Sequence, residues 1–213
     1  DYQRLTLNNL GLTNTNTWTD YGSSAFSAYS AFYIDGNNNV WLAEQGSGQI
    51  QIWNNNITSL LYSLNLTYGG GNGTINVIGA YSGGVWIGGQ FDTVIDANGV
   101  NATPQYSITR VSTATYLFDP IEDYSNGSRG FQNGSQVYCI AEVNGALVCG
   151  GSFLSDSANS IPINHIGSIA NPSGTIGTQF FSEFGNGTDG NVYAIYNNSF
   201  LNWTFIGGEF QNV

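Results

Sequence analysis

Nine asparagines sit in the N-x-S/T context that accepts an N-linked glycan: Asn56, Asn65, Asn72, Asn101, Asn126, Asn133, Asn186, Asn197 and Asn202, whereas Asn171 is disqualified by Pro172. That is about twice what chance placement of the chain's Asn, Ser and Thr would give. The chemistry these residues point to is attachment of sugar, and N-linked glycans are the added groups expected. The two cysteines point the same way. Val137 to Glu142 and Ala146 to Cys149 flank Val143-Asn144-Gly145, and a three-residue hairpin loop there sets Cys139 directly opposite Cys149, at the separation of a cross-strand disulfide. A two-residue Asn-Gly turn would shift the register by one and send the sulfurs to opposite faces. The disulfide is the expectation, in keeping with export.

Reacting groups are otherwise sparse. Asp119, Glu122 and Asp123 form the densest acidic cluster and could serve glycoside hydrolysis or hold Ca2+. Asp35-Gly36-Asn37-Asn38-Asn39 offers oxygen ligands at alternate positions, yet it lacks the sixth-place glycine and distant glutamate of a calcium loop and reads better as a hairpin turn. Such clusters are more often solvated loop charge. The single histidine, His165, has no repeat counterpart or obvious partner. Without a Ser-His-Asp order, a Cys-His pair at metal spacing or a phosphate-cradling glycine loop, the expectation is no enzyme, no metal and no cofactor.

Composition bounds the rest. A chain of 213 residues is one domain's length, and 8% charged with 41% apolar residues argues for a folded core. Arg4, Arg110 and Arg129 are the only cations against a net charge of −11, which excludes nucleic acid and anionic membranes as partners. No apolar run approaches the roughly 18 residues of a membrane-spanning helix. The opening at Asp1, without a signal peptide, suits a mature or trimmed fragment.

The elements that must position these groups show themselves through a repeat. Val85-Trp86-Ile87-Gly88-Gly89-Gln90-Phe91 returns as Leu147-Val148-Cys149-Gly150-Gly151-Ser152-Phe153 and as Thr204-Phe205-Ile206-Gly207-Gly208-Glu209-Phe210, with a degenerate copy at Val40-Trp41-Leu42-Ala43-Glu44-Gln45-Gly46. Each copy follows another apolar strand and, in the first three, precedes a third strand near Ile50, Ile108 and Ile166. A more aromatic fourth follows at Leu60 to Leu64, Tyr116 to Phe118 and Phe180 to Phe184. Four short antiparallel strands per unit predict an all-β propeller of about four blades in a single domain, with units over 32–64, 75–118, 137–184 and a composite of 191–213 with 2–21. Paired glycine is expected where the second strand meets neighbouring backbone, and the Phe beyond it fills the space between sheets. The column Trp41, Trp86, Val148, Phe205 reads as packing between blades, a sugar-stacking platform being the alternative.

The run Gly190-Asn191-Val192-Tyr193-Ala194-Ile195 with Phe205-Ile206-Gly207-Gly208-Glu209-Phe210, preceded by Ile166 and the stretch from Asn171 to Phe181, resembles the kelch-like GGxF propeller repeats of exported surface proteins. Such repeats occur in bacterial and giant-virus surface proteins and in the extracellular part of fungal cell-polarity cortical marker glycoproteins. The resemblance specifies a blade rather than an activity, and implies exported, often glycosylated, non-catalytic surface or adhesion modules. The first unit departs from it, Ala43-Glu44 replacing the glycine pair.

The expected function is thus an extracellular or cell- or virion-surface glycoprotein with a structural, adhesive or coat role, and the alternative is a carbohydrate-binding propeller. Expected partners are further copies of itself, other surface proteins and glycans. Two strands left over at each end must meet something. They close a ring, continue into a longer chain, or complete a neighbouring copy in a filament by strand complementation.

Overall fold

A computed structural model describes residues 28–96, 99, 102–119, 121, 129–159, 162–170, 175–177, 187–201 and 203–213. All regular structure in them is strand, paired antiparallel in four separate sheets, none closed into a barrel or propeller. The first sheet runs β1 (Tyr29–Ile34), β2 (Val40–Glu44), β3 (Gln49–Trp53) and β4 (Leu60–Tyr68) in chain order. Its far edge carries β5 (Gly71–Asn72), and later β8 (Thr93–Ile95) and β9 (Ala102–Pro104). The second sheet pairs β6 (Thr74–Tyr81), β7 (Gly84–Gln90) and β10 (Ile108–Ser112), with Phe118 bridged to Val111 in place of a fourth strand. The third holds β11 (Val137–Val143), β12 (Ala146–Gly151), β13 (Ile166–Ala170) and β14 (Thr175–Gly177), and the fourth is the hairpin of β15 (Val192–Asn198) and β16 (Trp203–Gly208). The residues expected as the third unit's last strand, 180–184, and those of the composite unit, 2–21, lie outside the described residues, while β13 finds its partner at Thr175–Gly177.

Alternation builds these strands. In β3, Ile50 and Ile52 are fully buried while Gln49, Gln51 and Trp53 stay half exposed, so one face packs and one is wetted. In β7 everything from Gly84 to Gly89 is buried, because it is a central strand covered on both faces. Two apolar clusters result. One, around Trp41, Ile75, Val85 and Phe91, lies between the first and second sheets; the other, around Trp86, Val137, Val148, Phe153 and Val192, runs on through the third to the fourth.

The four leading hairpins share one irregularity. Each first strand carries a bulge, between Tyr29 and Ala31, Ile75 and Val77, Val137 and Cys139, and Val192 and Ala194. The glycines are there because of it. A Cβ on Gly89 would lie 1.9 Å from the Thr74 carbonyl oxygen, on Gly151 2.0 Å from that of Gln136, and on Gly208 1.9 Å from that of Asn191. The preceding glycine serves the next sheet instead. A Cβ on Gly88 would lie 2.6 Å from Val137 Cγ1, and one on Gly150 2.6 Å from Val192 Cγ1. The third and fourth sheets therefore each drop a valine into a notch on the sheet before them.

The bulged residue reaches forward as well. Ser30 Oγ donates to the Ile75 carbonyl at 2.6 Å, Asn76 Nδ2 to that of Val137 at 3.0 Å, and the Tyr138 ring lies 5.0 Å from that of Tyr193. Phe91 and Phe153 are fully buried, the latter stacked on Phe131, so the aromatic after these two glycine pairs fills space as expected, while Phe210 after the third is half buried.

The predicted disulfide is corrected. Asn144 and Gly145, at φ 48° and 78°, form a two-residue turn, so Ile140 faces Cys149 and Cys139 faces Gly150. The shift of one residue sends the sulfurs to opposite faces of the hairpin, and the cysteines are unbonded.

Candidate functional site

The sugar-accepting asparagines fall into groups set by local structure. Asn56 and Asn133 occupy turns and are exposed, and Asn72 is exposed on the short β5 edge, its amide Nδ2 3.3 Å from the Gly46 carbonyl. Asn65 is half buried in β4 opposite Gln49, whose Nε2 donates to its Oδ1 at 3.5 Å. Asn197 is different. It is half buried in β15, and its Nδ2, the atom a glycan would occupy, donates to the Glu142 carbonyl at 2.9 Å across to the third sheet. Asn101, Asn126, Asn186 and Asn202 lie outside the described residues.

The acidic groups are tied into structure. Asp35 is buried, and its carboxylate accepts from the backbone amides of Asn37 and Asn39 at 2.8 and 2.9 Å and from Trp41 Nε1 at 3.0 Å. Tyr116 closes this corner, stacking on Tyr62 at 4.7 Å and donating towards Asp35 at 3.4 Å, with Asn39 Nδ2 on its oxygen. The Asp35 loop is thus the turn of the β1–β2 hairpin. Asp119 forms an ion pair with Arg110 at 2.7 Å, and Glu122 and Asp123 lie outside the described residues. Among the described residues no group of three metal-binding side chains converges. His165 sits at φ 71° in the turn before β13, its Nδ1 buried without a hydrogen-bond partner among the described residues. Burial pushes the Cys139 thiol up to about 12 and Cys149 well above its ordinary 9.0, so neither is a nucleophile at neutral pH.

What the sequence singled out as a column, the structure resolves by position in the stack. Trp41 and Trp86 are 0% exposed and Val148 is 4%, each facing the next sheet, but Phe205 is 51% exposed. Around it the outer face of the last hairpin shows Tyr196 at 62% and Trp203 at 60%, their rings grouped about Phe205 at 6.4 and 6.1 Å. At the other end, Phe32 is 63% exposed, although its counterparts Ile78 and Ile140 pack towards the sheet before them. These end faces are the part of the site that sequence reasoning missed. The column itself was the available signal.

No protein-family model and no curated protein sequence matches the chain. Among solved structures it is similar to that of the computationally designed Ika4 protein, at 13% identity over 89% of this chain and 95% of that one, with a TM-score of 0.51. That likeness concerns the fold alone.

Proposed function

We propose that this chain is a non-catalytic, extracellular β-propeller of kelch-like type whose role is structural or adhesive, a rigid sugar-bearing surface of a cell, virion or coat. The observation that carries the reading is the valine-in-glycine notch repeated from the second to the third and from the third to the fourth sheet, together with the sequons of Asn56, Asn72 and Asn133 on exposed turns and edges. Asp35 is engaged in a hairpin turn and Asp119 in an ion pair with Arg110. Nearly every apolar side chain of the column is spent on holding sheets together, so specificity is left to loops and glycans.

Peptide mapping of the protein secreted from eukaryotic cells, before and after enzymatic glycan release, tests this. Glycans are expected at Asn56, Asn72 and Asn133, and Asn197 is expected to stay bare because its amide already serves the sheet interface. An unmodified mass at all nine sequons would overturn the reading.

A carbohydrate-binding propeller is the second reading, favoured by the exposed Tyr196, Trp203 and Phe205 rings on one flat hairpin face. Binding on a glycan array that is lost in Phe205→Ala with the fold intact would move the assignment to it.

A further inference from the structure

Tyrosine is the residue through which this chain can bond its own sheets covalently. The chain has 13 tyrosines and no lysine, the amine that isopeptide and aldehyde-derived cross-links need, and its two cysteines are unbonded on opposite faces of one hairpin. Two tyrosine pairs join neighbouring sheets. Tyr62 in β4 stacks on Tyr116, in the turn after β10, at 4.7 Å with 23° between ring planes. Tyr138 in β11 meets Tyr193 in β15 at 5.0 Å and 54°. In each pair one phenol donates to a carboxylate, Tyr116 to Asp35 at 3.4 Å and Tyr193 to Glu209 at 2.7 Å.

The second pair has the better geometry for oxidative coupling. Tyr193 is 43% exposed and Tyr138 half buried, so an oxidant reaches the pair from solvent. A tilted pair sets the edge of one ring towards the other and lies nearer the twisted shape of a biaryl than the stacked rings of Tyr62 and Tyr116 do. The hydroxyl is also oriented. Asn191 Nδ2 donates to the Tyr193 oxygen at 3.3 Å, which leaves the phenolic proton on the Glu209 side. That bond holds the neutral phenol and raises Tyr193 above its ordinary 10.0. A neutral phenol gives up an electron readily only when its proton leaves with it, and the carboxylate is in place to take that proton.

We propose that Tyr138 and Tyr193 form an oxidative cross-linking site, joined carbon to carbon as dityrosine by a peroxide-driven one-electron oxidant of the haem peroxidase class, with Glu209 accepting the Tyr193 proton. Each ring loses one electron and its phenolic proton. The two tyrosyl radicals combine through carbons ortho to their oxygens, and each displaced ring proton moves to the neighbouring oxygen, restoring both phenols. The two electrons and two protons reduce hydrogen peroxide to two waters, so the balance closes. Holding the rings in contact makes the coupling effectively unimolecular. The bond ties β11 of the third sheet to β15 of the fourth, 193 − 138 = 55 residues apart, and so fastens the two-stranded hairpin to its neighbour.

Treating the purified chain, in dilute solution, with a haem peroxidase and stoichiometric hydrogen peroxide tests the proposal. Wild type is expected to gain dityrosine fluorescence as a monomer two hydrogens lighter, and peptic mapping to return Tyr138 and Tyr193 as one linked pair. Tyr138→Phe and Tyr193→Phe keep a ring at the contact and are expected to lose most of that fluorescence with circular dichroism unchanged, whereas Tyr62→Phe is expected to keep it. Glu209 acts through Tyr193. Glu209→Gln is therefore expected to slow coupling several-fold and to make its rate, taken relative to free tyrosine at each pH, climb more steeply as the phenolate becomes the route. Coupling that occurs only between chains, maps to other tyrosines or proceeds equally well in urea overturns the proposal. So does fluorescence that survives Tyr193→Phe, or a pH dependence that Glu209→Gln leaves unchanged. None of these outcomes depends on glycan occupancy, so the site stands or falls apart from the coat assignment.

Discussion

Cys139 and Cys149 lie within one hairpin and never meet, and the consequence is a pH signature. Burial raises both thiols above their ordinary 9.0, Cys139 to about 12, so the folded chain holds protons that the unfolded chain releases. The stabilisation is fully present below pH 9.0 and is lost as pH climbs towards 12. Tyr33 and Tyr81, raised chiefly by burial, add loss in the same direction. We expect urea midpoints to fall over this window, and Cys139→Ala with Cys149→Ala to flatten part of the slope while lowering the baseline. Alkylation of either thiol at pH 8 should require unfolding; rapid labelling of the native protein would contradict this placement. Asp35 gives a second test. Its removal in Asp35→Ala strands the buried Trp41 indole N–H and two turn amides, and the expected loss is about 2 kcal/mol by urea denaturation. Asp35→Asn, which keeps an acceptor, should lose less.

At the scale of elements, hairpins were legible because apolar alternation and Gly- or Asn-rich turns mark them directly. The pairs Phe32–Ile34 with Val40–Glu44 and Ile75–Gly79 with Val85–Gln90 appear where the pattern sets them. Register was not legible to one residue. Val143-Asn144-Gly145 admits a two- or a three-residue loop, and the structure takes the shorter, with positive φ at both Asn144 and Gly145. The β8–β9 hairpin escaped notice because each strand has only three residues and one ends in Pro104, which an edge position tolerates. The glycine pairs were legible as close approaches, but not as two different ones, since the bulge that aims the second glycine at a carbonyl leaves no mark in the sequence. The two roles predict opposite outcomes. Gly89→Ala drives a Cβ against the Thr74 carbonyl and should destabilise by about 3 kcal/mol, near the upper range for overpacking. Gly207→Ala, at the first glycine of the pair in the last hairpin, should change the urea midpoint very little.

For the molecule as a whole, the stack is held unevenly. The first three sheets bury large column residues between neighbours, each side chain stabilising by roughly 1.5–3 kcal/mol when fully covered. Among the described residues the β15–β16 hairpin is supported on one face, through Val192, Ile195 and Ile206, while Tyr196, Trp203 and Phe205 stand exposed on the other. Two strands alone are marginal in water, so local opening should begin there. Asp189 adds an acid-sensitive clasp, accepting from the Gln211 and Asn212 amides at 2.7 and 3.0 Å, and these bonds hold its carboxyl below the ordinary 3.8. That tie is complete above pH 3.8 and fails as pH drops through the lower folded value, loosening the strand end further. In dilute protein near neutral pH, backbone amides of β15 and β16 should therefore exchange with deuterium well before those of β6, β7 and β10. Exchange as slow in the last hairpin as in β7 would contradict this uneven support of the stack.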